Sequence, residues 1–308
     1  ELDCVYFKVI REIIRSIFAE SGISLFSVTT FDKRSLSIFK LFLPCTLFNN
    51  ILSTDLKTVL QPQLLIYAAV CVLAACAAGW LIMPRITSDP RKQGVMIMNT
   101  YRSNAVLFGM PIVQLIYGDS QLGVMSMLIA VIVPLFNILS VIVLESFRGG
   151  KARISKLIEG IVTNPLIIAS ALGLLCFFSG VHLWKPVASV IGDMGKVSTP
   201  LALIILGAGF QPERVAENKK ELLASVSARL VWTPLAALGI AVLLGIRGVA
   251  LVSLLAIFAS PNAVSSYSMA EGMGSDSELA SQGLLLSTVF CIPTIFLWIF
   301  CFSECGLI

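Results

Sequence analysis

The chain has 308 residues, 57% hydrophobic and 13% charged, with a net charge of +4 and a mean hydropathy of +0.91. Soluble domains carry about twice that share of charged residues, so a soluble globular protein is excluded; the small positive balance, spread over short loops, does not read as a nucleic-acid surface. The apolar runs are continuous rather than alternating, which excludes a β-barrel, and several windows reach the ~20 apolar residues that a helix needs to cross the bilayer.

The chain therefore reads as an all-α polytopic membrane protein. Ten segments can be marked, at about 4–23, 35–53, 63–83, 95–117, 122–144, 158–179, 187–209, 221–245, 248–272 and 283–303. The first carries Lys8, Arg11, Glu12 and Arg15 at helical spacing. It is either an interfacial amphipathic helix or a span whose polar stripe faces protein. The chain starts at Glu1 rather than Met, which leaves open that this element is truncated. The second span holds Lys40, Pro44 and the pair Asn49-Asn50. In the third, Ala74 to Trp80 ("AACAAGW") reads as close helix packing. The seventh holds Asp193 and Lys196 three residues apart, hence on one face and placed to neutralise each other; Arg229 lies inside the eighth. Eight cysteines (Cys4, Cys45, Cys71, Cys76, Cys176, Cys291, Cys301, Cys305) have neither metal-ligand nor disulfide-framework spacing and read as small apolar packers. His182, the only histidine, falls in a loop.

Loops that follow odd-numbered spans hold twelve Lys and Arg, those that follow even-numbered spans only Lys57, Lys185 and Arg247. The positive-inside rule puts the odd-numbered loops in the cytoplasm and both termini on the other side. The basic first segment sits badly with that orientation. The central connection, about 145 to 157, leaves no room for a soluble domain.

The sequence repeats itself weakly. Asn104-Ala105-Val106 returns as Asn262-Ala263-Val264, and Asp119-Ser120-Gln121-Leu122 as Asp276-Ser277-Glu278-Leu279. Pro44 and Pro200, Leu64-Leu65 and Leu222-Leu223, and Pro134 and Pro293 keep nearly the same offset. This divides the chain at 1–150 and 151–308, two five-helix repeats. Five is odd, so the second copy enters the membrane upside down, as in many secondary transporters.

The fourth and ninth spans carry the polar centres. Arg102-Ser103-Asn104 interrupts one, and "FASPNAVSSYSMAEG", Phe258 to Gly272, the other. Pro261 lacks an N–H and opposes a continuous helix. Ser103-Asn104 and Pro261-Asn262 are good N-cap chemistry for new half-helices. A break in lipid is tolerated only where protein or water satisfies the freed backbone. Two facing breaks with half-helix N-termini on one cavity suit an anion, most simply a carboxylate. Candidate binding residues are Asn104, Asn262, Ser103, Pro261, Arg102, Ser265 and Ser266, with Ser260 a further hydroxyl. An Arg near the centre of a span rarely faces lipid. Arg102 either attracts the carboxylate, pairs with an acid such as Asp193 or Glu271, or snorkels to an interface.

These residues also carry a resemblance. "SNAVLFGMPIVQLIYG", Ser103 to Gly118, resembles the fourth-helix motif of the auxin efflux carrier family, which includes bacterial malate permease-like proteins and plant PIN-type carriers. "SPNAVSSYS", Ser260 to Ser268, resembles its ninth-helix motif, and "FLPCTLF" and "TPLALIILGAGF" are similar to weaker family motifs. The resemblance implies ten transmembrane helices as two inverted five-helix repeats, broken and crossing fourth and ninth helices, a scaffold half and a transport half, and carboxylate transport. Family members commonly have proline at both crossovers; here Ser103 takes the first.

The function expected is a secondary transporter, an efflux carrier of small organic carboxylates such as auxin-like or malate-like acids, working by alternating access. The alternative is a sodium- or proton-coupled symporter or antiporter of a related fold. No catalytic constellation, metal site or cofactor is expected. Expected partners are the organic anion and the lipid bilayer, with a homodimer allowed and no nucleic acid. The membrane expected is the plasma membrane or endoplasmic reticulum of a eukaryote, or a bacterial inner membrane.

Overall fold

The computed structural model describes residues 38–52, 61–148, 162–179, 183–209 and 212–308. The expected first span and His182 lie outside these residues, as does most of the central basic loop. Among the described residues the fold is all-helical, with one isolated β-bridge and no named strand.

The helices follow the apolar runs. A π-helical turn, Ile38–Phe42, leads into α1 (Leu43–Leu52). Helix α2 (Pro62–Ile82) starts with a proline that needs no N–H there, and continues into a turn at Met83–Arg85. Helix α3 (Pro90–Tyr101) is capped by Asp89, whose carboxylate accepts from the Arg91 N–H at 2.9 Å. A π-helical turn, Ala105–Gly109, and α4 (Met110–Tyr117) follow after a break. Then come α5 (Leu122–Ser146), α6 (Pro165–Ser179) and α7 (Lys185–Gly209). Helix α8 (Lys219–Ser227) passes through a π-helical turn into α9 (Thr233–Leu243). Helices α10 (Gly248–Phe258) and α11 (Val264–Gly272) flank the second break, and α12 (Ser277–Glu304) closes the fold.

Among the described residues, four stretches are long and apolar enough to cross a membrane: Pro62–Arg85, Asp119–Ser146, Lys219–Leu243 and Ser277–Glu304. Of the shorter pieces beside the breaks, α3 and α10 lie inside. Every residue from Gly94 to Tyr101 in α3 and from Leu251 to Phe258 in α10 is buried, although α3 contains Asn99 and Thr100. Interrupted helices carry unpaired backbone groups, so they need protein around them rather than lipid. At Gly109, a Cβ would lie 2.5 Å from Met125 Cε and 3.1 Å from the Ala256 carbonyl, so glycine lets the turn before α4 press onto α10.

Helix α1 packs on α6 and α7. Helices α2, α3 and α5 pack together, α8 and α12 join them through α3, and α4 and α9 flank α10. The two groups meet where α11 touches α7 and where α5 touches α1 and α6. The small-residue run in α2 only partly does what close packing predicts. Gly79 approaches α3, where an added Cβ would lie 2.8 Å from Thr100 Oγ1. Ala74, Ala77 and Ala78 instead are exposed, and Ala74 and Ala78 wall a groove rather than a helix–helix seam.

Candidate functional site

The two breaks lie against each other. Helix α3 ends at Tyr101, and Arg102 is extended at φ −79°, ψ 117°. Helix α10 ends at Phe258, and Ala263 is extended at φ −70°, ψ 138°. Between them Ser103 and Asn262 form an antiparallel bridge, in which the Asn104 N–H donates to the Pro261 carbonyl at 2.8 Å. Each break thus satisfies part of the backbone that the other exposes, which is what burial demands. The break at Ser103 forms without a proline.

The carbonyls at the ends of α3 and α10 have one shared partner. Arg229, in the π-helical turn before α9, is fully buried. Its guanidinium donates to Ser260 O at 2.9 Å, Tyr101 O at 3.0 Å and Ile257 O at 2.6 Å. A planar fork of donors suits several carbonyls at once, and a cation at helix C-termini is favoured by the macrodipoles. Thr233 Oγ1 adds a bond to the Thr100 carbonyl at 3.2 Å. Arg229, inside the expected eighth span, therefore fastens the two breaks.

On the other side of the bridge lies a cavity of about 470 Å³. Arg102, Ser103, Asn104 and Ser265 line it, opposite Thr46 and Asn49 of α1 and Lys196 of α7. Leu43, Leu47, Val133 and Phe136 supply apolar wall. Arg102 is 3% exposed, so it does not snorkel. Its guanidinium donates to Asn137 Oδ1 and Ser265 Oγ at 2.7 Å each and to Ser140 Oγ at 3.0 Å. All three partners are neutral, and among the described residues no carboxylate reaches it. Asp193 is held elsewhere, accepting from Lys196 Nζ at 2.9 Å, so those two neutralise each other as their spacing predicts. Ser265 lies in the first turn of α11, whose dipole presents positive charge there. Arg102 Nε and Ser103 Oγ are buried donors without a protein partner among the described residues. The cavity thus combines an uncompensated cation, a helix N-terminus and unused donors.

The candidate residues fall in two places. Asn104 caps the turn that follows it, its Oδ1 accepting from the Leu107 N–H at a long 3.4 Å. Asn262 does not cap α11; Ala263 occupies the N-cap position and has no side chain to donate or accept. Asn262 is fully buried, with both amide atoms unpartnered among the described residues. It faces α12, where a Cβ on Gly283 would sit 3.8 Å from Asn262 Nδ2 and 2.6 Å from Asn99 Nδ2. Helix α12 does not line the cavity. Pro261 and Ser266 are buried and off the cavity wall as well. Ser260 turns its hydroxyl back onto the Ala256 carbonyl, a local bond that removes it from the hydroxyl candidates. Lys40 is exposed and off the wall, whereas Asn49 is on it. Two residues that hold Arg102 were not singled out in the sequence. Asn137 and Ser140 are three apart in an otherwise apolar span, which puts two polar groups on one helix face.

A family model described as membrane transport protein matches residues 17–299. The chain belongs to this family, that of the auxin efflux carriers. No curated protein matches it. As a member of the auxin efflux carrier family it is an integral membrane transporter. The break on each side of the Ser103–Asn262 bridge falls in the two motifs through which the sequence resembles the family.

Proposed function

We propose that the protein is a secondary carrier of small organic carboxylates, an exporter, in which the anion sits against Arg102, Ser103, Asn104 and Ser265. The observation that carries this reading is the guanidinium of Arg102, buried at the positive end of α11 with only neutral partners. A buried guanidinium without an acid costs several kcal/mol, and a carboxylate bound bidentately offsets that cost. The cavity holds one unneutralised cation and largely apolar walls. That favours a monocarboxylate with an apolar body, auxin-like, over a malate-like diacid.

In this reading the fourth and ninth spans, α3–α4 and α10–α11, are the broken, crossing helices of two inverted five-helix repeats. Their polar centres pair at matching positions of the repeat, which supports the duplication. Helices α1, α6 and α7 form the scaffold, and the helices packed around Arg229 form the transport unit. Rocking one group against the other opens the cavity to alternate sides. Asn262, Pro261 and Ser266 shape the crossing on its α12 side. The basic loops face the cytoplasm and both termini the opposite side.

The test is uptake into proteoliposomes of a panel of radiolabelled carboxylates, including indole-3-acetate and malate, with and without proton and sodium gradients. Saturable uptake of a monocarboxylate that is lost in Arg102→Gln is expected. Wild-type uptake by that variant, or preference for a neutral solute, defeats the assignment.

A further inference from the structure

A second cavity lies away from the crossing. It is an apolar groove of about 550 Å³ between α2 and the continuous α8–α9 stretch, open on the outer surface of the molecule. On α2 and just past the turn that follows it, the groove is walled by Cys71, Ala74, Ala78, Ile82 and Ile86, a stripe at helical spacing. The two helices run antiparallel. Tyr67 donates to the Ala237 carbonyl near one end. Lys92, shortly after α2 ends, lies 3.8 Å from Glu221 at the start of α8. Fifteen residues separate Cys71 from Ile86, about 22 Å at helical rise. That exceeds the ~15 Å of one leaflet of hydrocarbon, so a whole acyl chain fits along it.

The charge is all at one end. Arg85 sits between Met83 and Ile86, two groove residues, and is exposed. Lys220 lies one turn before Ala224, hence on the face that continues into the groove through Ala224, Ser227 and Ala228. Lys219 stands beside it. The nearby acids are engaged: Glu221 with Lys92, and Glu217 with Arg214 at 4.0 Å. Among the described residues Arg85, Lys219 and Lys220 have no acidic partner.

We propose that this groove is a binding site for an anionic phospholipid, with one tail along the alanine stripe and the phosphate between Arg85 and Lys220. An apolar channel the length of a leaflet with a basic collar at one end matches a phospholipid's own division into tail and charged head. Basic pockets between transmembrane helices on the cytoplasmic side hold such headgroups. Placing the site in the cytoplasmic leaflet rests on the orientation proposed above; the headgroup preference does not. Thr100 contributes to the groove, so the bound tail packs one residue from the end of α3.

Trp232, exposed on the groove, provides a local reporter. The carrier in mixed micelles is titrated with phosphatidylglycerol or phosphatidylcholine brominated in the tails, without any transport substrate. The Trp232 signal is the difference in quenching between wild type and Trp232→Phe. Half-quenching is expected at a several-fold lower fraction of the anionic lipid. The cations carry that preference, so Arg85→Gln with Lys220→Gln brings the two curves together. Ala78→Leu, which fills the groove, weakens quenching by both lipids. Equal curves in wild type, a preference that survives the double variant, or quenching indifferent to Ala78→Leu overturns the proposal. Failure here leaves the transport assay untouched, and failure there leaves this one.

Discussion

Ser103 and Asn262 face each other across a single antiparallel bridge whose donor is the neighbouring Asn104 N–H, 2.8 Å from the Pro261 carbonyl. That hydrogen bond does not use the amide of Ser103. Arg102, before it, already has the extended ψ that a following proline requires. Ser103→Pro is therefore expected to fold with a melting temperature close to wild type. A fall of ten degrees or more in a thermal-unfolding assay of the purified protein refutes the bridge geometry.

Arg229 bonds three carbonyls at the ends of two helices, beside the bridge that joins the two breaks. Arg229→Met leaves those carbonyls buried without partners, at a cost on the order of 3 kcal/mol or more. Arg229→Lys keeps the charge but cannot reach all three carbonyls in one plane. Melting temperatures should fall in the order wild type, Arg229→Lys, Arg229→Met. Equal stability of the three removes the fastening role.

Arg102 should behave in the opposite sense. Its buried charge has no acidic partner among the described residues, so Arg102→Gln relieves a desolvation cost and is expected to unfold no earlier than wild type. Transport should suffer nonetheless. Losing one side of a buried charge pair with the substrate costs about 2–5 kcal/mol, which reads as a fall in kcat/KM of roughly thirtyfold or more. A variant that loses stability and transport together points to a structural Arg102 instead.

Asn99 and Asn262 keep four buried amide atoms unpartnered among the described residues beside Gly283. An unpaired buried polar group is destabilising by about 1–3 kcal/mol, so Asn99→Ala and Asn262→Ala should match or exceed wild type in melting temperature. Gly283→Ala, whose methyl would meet Asn99 Nδ2 at 2.6 Å, should be the damaging change at this spot. A stable Gly283→Ala, or a clear loss in the two alanine variants, shows that the amides are engaged.

The sequence carried the helices better than their company. The ninth segment, marked at 248–272, matches α10, its break and α11. The fourth starts at Pro90 rather than near Val95, because the capped first turn is polar and an apolar window misses it. Asn104 was legible as a cap; at Asn262 the same triplet shifts the cap by one residue, to Ala263. What could not be read is the division of labour between two mid-span arginines. Arg102 and Arg229 look alike in a hydropathy profile. One meets hydroxyls and an amide beside a cavity, the other three carbonyls, and those partners lie up to 163 positions away. The alanine run of α2 shows the same limit: small residues permit contact, but the neighbour's shape decides whether it occurs.

The lone cation at Arg102 has an electrical corollary. In the carrier cycle proposed above, a site filled by a monocarboxylate is neutral, while the vacant one holds one positive charge. Transmembrane voltage then acts on the unloaded return rather than on the loaded passage, with a leverage of up to about 2.3 kcal/mol per 100 mV. The resting potential of the membrane thereby sets how quickly an emptied carrier comes back for its next passenger.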